Sequence, residues 1–106
     1  MKQTKTKVIF RKDRTGRKEV FALFPEELGT SSPYTCSCYQ HVGQHCSADP
    51  QGCIQRSVSA KPSEYRELAI ELRNYGPTEA HYRLQIVKRI PRNALKVRRA
   101  KLEALR

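Results

Sequence analysis

Cysteine and histidine residues are concentrated in one short stretch of this 106-residue chain. All four cysteines and two of the three histidines fall between residues 36 and 53. Thiolates and imidazoles are the ligands that zinc prefers, and one turn of chain can offer two of them to a single ion. The candidate metal ligands are Cys36, Cys38, His41 and His45. We therefore consider zinc as a cofactor here, although the spacing fits no standard zinc finger.

His41 and His45 are expected to act as a pair. They lie four positions apart, so in a helical turn both imidazoles would lie on one face. In an extended run they would lie about 13 Å apart, at about 3.3 Å per residue. Gly43 between them favours a bend, because glycine adopts backbone angles that are closed to other residues. The pair could then converge on one metal ion or anion.

Three other interpretations of the same stretch remain open. Cys38 or Cys46 beside a histidine could form a thiolate–imidazole pair for nucleophilic catalysis. Disulfide formation is the weaker alternative, because no secretory signal is evident at the start and a reducing, cytoplasmic location is expected. The simplest interpretation is that the cysteines pack as small hydrophobic residues and the histidines bond the loop backbone.

The second chemical feature is an excess of positive charge at the two ends of the chain. The formal net charge is +11, from 21 basic and 10 acidic residues. Residues 1–18 and 88–106 each carry eight basic residues and one acidic residue, so the middle is acidic. Such a distribution attracts polyanions, of which nucleic acids are the commonest inside cells and acidic proteins an alternative. The candidate nucleic-acid-binding residues are Lys88, Arg89, Arg92, Lys96, Arg98, Arg99 and Lys101.

Binding of this kind should depend on salt and select weakly for sequence, because lysine and arginine on a terminal segment contact phosphates. We expect truncation of residues 91–106 to remove most of the affinity. Tyr34, Tyr39 and Tyr82, the last followed by Arg83, could add stacking surfaces for unpaired bases.

The elements that must position these groups begin with a predicted β-hairpin. Strands are expected at 7–11 and 18–24 around a turn at 13–16, with Pro25 ending the second strand. Both faces of the second strand are apolar, so it should be central in its sheet. Further strands are expected at 34–40 and 53–57.

A helix is predicted from Pro62, because apolar residues recur at helical spacing up to Tyr75, before Gly76 and Pro77. Leu72 lies in the middle of the apolar stripe and should be buried, whereas Ile70 should face outward. A last strand should span 82–87, and leucines among the basic residues after 93 could form a short amphipathic helix.

The predicted fold is α+β, with a small, mainly antiparallel sheet of three to five strands and one helix packed on a face. Residues 1–90 would form the single domain, and 91–106 a basic C-terminal tail. No segment approaches the roughly 20 apolar residues of a membrane span. The motifs GxxxxGK[ST], GxGxxG and GxSxG are absent from the sequence, so phosphate-loop, dinucleotide-binding and serine-hydrolase functions lack their signatures.

Five short runs resemble a group of small bacterial and mobile-element proteins for which no activity is known. The most specific is Tyr39-Gln-His-Val-Gly-Gln-His45, and the others are 8–11, 22–25, 62–65 and 71–72. The resemblance implies a shared small fold over residues 7–90. The basic segment from Pro91 lies outside it, so polyanion binding would be particular to this chain.

The leading hypothesis is therefore a non-catalytic binding module with weakly sequence-selective nucleic-acid contacts. A small metal-dependent or thiol-based enzyme that uses the cysteine and histidine loop is one alternative. A module that binds an acidic protein partner is the other.

Overall fold

The structure is a computed structural model that describes residues 6–14, 19–40, 45–74 and 84–105. These residues form a six-stranded sheet and three helices, so the expected α+β class with a mainly antiparallel sheet is confirmed. The numbers of strands and of helices both exceed the predicted three to five strands and one packed helix. In chain order the elements are β1 Thr6–Asp13, β2 Val20–Leu28, β3 Cys36–Tyr39, β4 His45–Ala48, α1 Pro50–Arg56, β5 Ser57–Ser59, α2 Pro62–Asn74, β6 Leu84–Ile86 and α3 Ala94–Ala104.

The predicted hairpin forms the centre of the sheet. β1 and β2 pair antiparallel with Phe10 opposite Ala22, and the Asp13 N–H donates to the Glu19 carbonyl at 3.1 Å. Side chains alternate across a strand. Val8 and Phe10 therefore join one core cluster, whereas Ile9 joins another on the opposite face. The expectation of a central strand pair with two apolar faces is confirmed.

The other strands extend this pair in both directions. The order along the sheet is β4-β3-β2-β1-β5, and neighbours in it pair antiparallel. β6 pairs parallel with the beginning of β1, where Thr6 lies opposite Leu84. The expected strand at 82–87 is thus present in part, because residues 75–83 lie outside the described part of the chain.

Pro25 does not end β2, contrary to the prediction. The strand continues to Leu28, and its register against β3 shifts between Phe24 and Leu28. A proline has no N–H for the ladder, and bulges are among the few positions in a sheet that tolerate one. The irregular register here accommodates Pro25 within the strand.

The prediction of a strand at 53–57 was wrong, because Cys53 lies in α1. Pro50 occupies the first turn, where its missing N–H costs no hydrogen bond. Arg11 from β1 defines the end of this helix, since its guanidinium donates to the carbonyls of Ile54 at 2.9 Å and Ser57 at 2.7 Å. The chain then enters β5, which pairs with the end of β1.

α2 confirms the helix prediction. Leu72 is fully buried against the sheet, and Ile70 is 46% exposed on the outer side. Lys61 is a poor capping residue, but its N–H donates to the Glu64 carboxylate at 2.8 Å. Lys12 of β1 donates to the same carboxylate at 2.6 Å and holds the start of α2 on the sheet. Hydrogen bonds from Lys12 and from the Lys61 backbone lower the pKa of Glu64.

The segment from 91 onward contains α3, which packs against β2. Its buried residues are Ala94 and Arg98, whereas Leu105 is exposed. α2 covers one face of the sheet, and residues of α1 together with Val87 and Ile90 pack on the other. Within the described ranges, every helix is too short or too polar to cross a membrane.

Candidate nucleic-acid interface

The cysteines are partly brought together by the fold. Cys36 and Cys38 lie two residues apart on β3 and are buried in the cluster that Cys53 of α1 contacts. Cys36 and Cys53 are free thiols, whereas Cys38 is disulfide-bonded. Its position in the ladder is opposite Cys46 of β4.

The predicted histidine pair falls largely beyond the described residues. His41 lies in the undescribed range 41–44, and of His45 only the backbone is described. No group of three or more metal-ligating side chains occurs in the part of the chain that the structure describes. The shared histidine site therefore stays a prediction, and so does a zinc site, but Cys38 is excluded as a zinc ligand in this state because its sulfur is in a disulfide and not a thiolate.

Both free thiols are held in their neutral form. Burial raises the pKa of Cys36 to about 12, with Arg98 acting in the opposite direction. Burial also raises the pKa of Cys53, which Arg56 partly offsets. The nucleophile in thiol chemistry is the thiolate. Cys53 lines a cavity of about 450 Å³ together with the disulfide-bonded Cys38, but the raised pKa of the Cys53 thiol does not favour catalysis there.

The seven basic residues predicted to bind nucleic acid divide into two groups. Arg98 is 4% exposed, and its guanidinium donates to the carbonyls of Pro25 and of Pro33. Lys101 donates to the Glu27 carboxylate at 2.9 Å and to the Glu26 carbonyl at 3.0 Å. Five side chains remain exposed to solvent: Lys88, Arg89, Arg92, Lys96 and Arg99.

Helical geometry explains this division. Ala94, Arg98 and Lys101 are spaced four and three residues apart, which places them on one face of α3, against β2. Lys96 and Arg99 are three residues apart on the opposite face. α3 therefore uses two of its cations to dock on the sheet and presents the others to solvent.

Tyr34 lies beside this outer face, in the connection between β2 and β3. Hydroxyl groups fix the shape of that connection. The Ser32 N–H donates to Thr30 Oγ1 at 3.1 Å, and the Tyr34 N–H donates to Ser32 Oγ at 3.2 Å. Thr35 Oγ1 donates to the Ser32 carbonyl at 3.1 Å. Such turns order a loop without a hydrophobic core.

Two further contacts join the loop to its surroundings. A Cβ at Gly29 would lie 2.3 Å from the carbonyl oxygen of Cys36, so the two backbones approach more closely than a side chain allows. Arg98 Nε donates to the Pro33 carbonyl at 2.7 Å and ties the loop to α3. Tyr34 is thereby held at a fixed position relative to the basic helix.

The ring of Tyr34 pairs with Arg99. The guanidinium carbon of Arg99 lies 5.7 Å from the ring centroid, within the range of a cation–π contact, and Nη2 donates to the phenol oxygen at 3.1 Å. Tyr34 nevertheless remains 62% exposed. The other tyrosines considered for stacking differ, since Tyr39 is fully buried and Tyr82 lies outside the described residues.

A cavity of about 520 Å³ opens between this loop, the start of α1 and the start of α3. Its walls combine apolar groups with a few polar ones. The lining residues are Tyr34, Asp49, Pro50, Gln51, Ile90, Pro91, Arg92, Ala94, Leu95 and Arg98. The arrangement offers an aromatic ring, unpaired cations and a concave apolar surface side by side. Sequence reasoning identified the cations and Tyr34 but not the cavity, whose walls come from three segments that are distant in sequence.

Comparison with known proteins gives no further guide to the site: no protein-family model, curated protein or solved structure matches the chain. The function is therefore inferred from the geometry of these residues.

Proposed function

We propose that this protein is a non-catalytic module that binds nucleic acid with weak sequence selectivity through the outer face of α3 and the residues that lead into it. One observation carries the proposal. Arg98 is buried and Lys101 is paired, whereas Arg92 before α3 and Lys96 and Arg99 on it are exposed. Arg99 lies against the exposed ring of Tyr34. Lys88 and Arg89, in the connection between β6 and α3, are also exposed.

Two of the acidic residues near this surface are already paired with lysines. Glu26 accepts a hydrogen bond from Lys7 at 3.3 Å, and Glu27 accepts one from Lys101 at 2.9 Å, so both carboxylates are already paired. Among the described residues, Arg92 and Lys96 take part in no salt bridge. Cations that are not compensated locally raise the surface potential and attract polyanions.

The neighbouring aromatic ring favours a nucleic acid over an acidic protein. Exposed rings beside arginine are a common platform for unpaired bases, and stacking tolerates any base because every base has a π-face. Lysine and arginine on the exposed side of α3 suit phosphates, which carry no sequence information. An interface made of base stacking and phosphate contacts would therefore select only weakly for nucleotide sequence.

Salt dependence tests the proposal, because each phosphate contact contributes roughly −0.7 to the slope of log K against log salt for single strands. Fluorescence anisotropy with a labelled oligonucleotide would measure this slope. We expect the triple variant Arg92→Gln, Lys96→Gln, Arg99→Gln to bind more weakly and to reduce the magnitude of the slope by about 2.

The matched control removes the same charge from α2, on the other face of the sheet. Lys61, Arg66 and Arg73 are exposed there, and their replacement by glutamine lowers the net charge equally. The control should keep the salt slope of the parent protein. Equal losses in both triple variants would mean that net charge alone drives binding and would overturn the proposed interface.

A further inference from the structure

We propose that the cavity beside Tyr34 holds one unpaired nucleobase, with guanine preferred, and hence that the nucleic acid bound is single-stranded. The inference rests on the proposed function, because the phosphates on either side of the base would be held by the basic surface of α3. It adds a site and a ligand class that charge alone does not specify.

The size and walls of the cavity suit a flat aromatic ligand. Its volume of about 520 Å³ falls within the roughly 300 to 1,000 Å³ of ligand pockets. Ile90 and Leu95 supply apolar walls, and Tyr34 at the edge supplies an aromatic surface that is still exposed after its contact with Arg99. A base that enters would exchange water for these apolar contacts.

Asp49 supplies the recognition chemistry. It is exposed, lines the cavity and directly precedes α1, yet within the described residues its carboxylate makes no capping hydrogen bond to that helix. A carboxylate repels phosphates, so its presence beside unpaired cations is unfavourable for a ligand that consists of phosphates only. The Asp49 carboxylate suits a ligand that places hydrogen-bond donors inside the cavity.

Guanine is the base that fits a carboxylate best. Its Watson–Crick edge carries two adjacent N–H donors, N1–H and the N2 amino group, which can bond both oxygens of one carboxylate. Thymine offers a single donor between two carbonyl oxygens, which a carboxylate repels. In a duplex this edge is already paired, so only a single strand can present it.

The surrounding arginines have separate roles in this arrangement. Arg98 lines the cavity, but its guanidinium already bonds the Pro25 and Pro33 carbonyls and therefore forms a fixed wall. Arg92 lines the cavity with an exposed side chain, and Arg99 lies against Tyr34. These two residues flank the base and are placed to bind phosphates of the same strand.

The test compares three labelled probes by fluorescence anisotropy: a short oligothymidylate, the same oligomer with one central guanine, and a duplex of equal length. The parent protein should bind the guanine oligomer roughly tenfold more tightly than oligothymidylate, the discrimination of one good bidentate contact. Binding to the duplex should be weaker than to either single strand.

Variants separate the base site from general attraction. Asp49→Asn should abolish the guanine preference while oligothymidylate binds as tightly as before or more tightly, because a negative charge has been removed. Tyr34→Leu should weaken single-strand binding at least about fivefold, and Tyr34→Phe, which keeps the ring, should not. Circular dichroism of each variant verifies that the fold is intact.

The possible outcomes are distinct. Absence of a guanine preference, a preference that survives Asp49→Asn, or equal binding of duplex and single strand would overturn the base site. Those results leave the proposed function standing if the α3 triple variant still loses its salt slope. Binding of polyglutamate as tight as that of the oligonucleotides would indicate an acidic protein partner and overturn both proposals.

Discussion

Replacement of Arg98 by methionine is the most informative perturbation of stability. The buried guanidinium donates to two backbone carbonyls, that of Pro25 where β2 is irregular and that of Pro33 in the tyrosine loop. A hydrogen bond to a charged group contributes about 1.5 to 3 kcal/mol, so loss of both would cost about 3 to 6 kcal/mol. Removal of a buried charge recovers part of this cost.

The net expectation for Arg98→Met is a loss of about 2 to 4 kcal/mol from a total that is typically about 5 to 15 kcal/mol. Methionine keeps the unbranched apolar stem of the side chain, so the change reports mainly on the lost guanidinium and its hydrogen bonds. With a urea m-value of about 2 kcal/mol/M, the unfolding midpoint should fall by about 1 to 2 M.

The adjacent residue is the matched control. Arg99→Met removes the same charge and keeps the same helix propensity, but its side chain is exposed, so stability should change by no more than about 0.5 kcal/mol. The assay is equilibrium urea unfolding followed by circular dichroism. An Arg98→Met midpoint within 0.2 M or so of the Arg99→Met midpoint, about 0.4 kcal/mol at that m-value, would refute the assignment of Arg98 as the contact that docks α3.

Four further outcomes follow from the same structure. Leu72→Ala should cost about 2 to 5 kcal/mol in urea unfolding because the side chain is fully buried, and a change below about 1 kcal/mol would contradict its place in the core. Gly29→Ala should lower the melting temperature, since its Cβ would clash with the Cys36 carbonyl; an unchanged transition would argue against that close approach. In the folded protein at pH 8, an alkylating reagent followed by mass spectrometry should modify Cys53 before Cys36, and the reverse order would contradict the burial of Cys36. Because the pKa of Cys36 is raised from 9.0 to about 12, its contribution to stability should be complete below pH 9 and be lost between pH 9 and 12, which unfolding across that range would show.

Elements with a clear hydrophobic period were predictable from the sequence. α2 carries an apolar stripe over several turns and a proline at its start, so its start, the burial of Leu72 and the exposure of Ile70 all followed. The hairpin was equally clear, because β-branched and aromatic residues surround a turn. In both cases local sequence and tertiary packing favour the same structure.

Short elements were not predictable in the same way. α1 has only seven residues, a length at which apolar residues fit a helix and a strand equally well. Cys53 and Ile54 turn toward the sheet because Arg11, more than forty residues earlier, binds the carbonyls at the end of the helix. A signal of that kind is not local and has no pattern along the chain.

The candidate interface was predictable in composition but not in arrangement. The leucines after residue 93 indicated an amphipathic helix, and the helix is present. Its buried face, however, carries Ala94 and Arg98, and Leu105 is exposed. Only the geometry of β2, where a bulge leaves the Pro25 carbonyl near α3, explains why an arginine is buried there.

Arg11 and Arg98 show why the net charge of this chain overstates its attraction for polyanions. Each arginine is buried and binds backbone carbonyls at a place where regular structure ends, Arg11 at the end of α1 and Arg98 at the irregular part of β2. A guanidinium carries five donors in a fixed fork, so one side chain can bind two carbonyls at a place where regular structure ends. In a small domain with short strands, this is a structural use of positive charge. The electrostatic contribution to binding must therefore be counted from the exposed, unpaired cations around α3 and not from the formal +11 of the sequence.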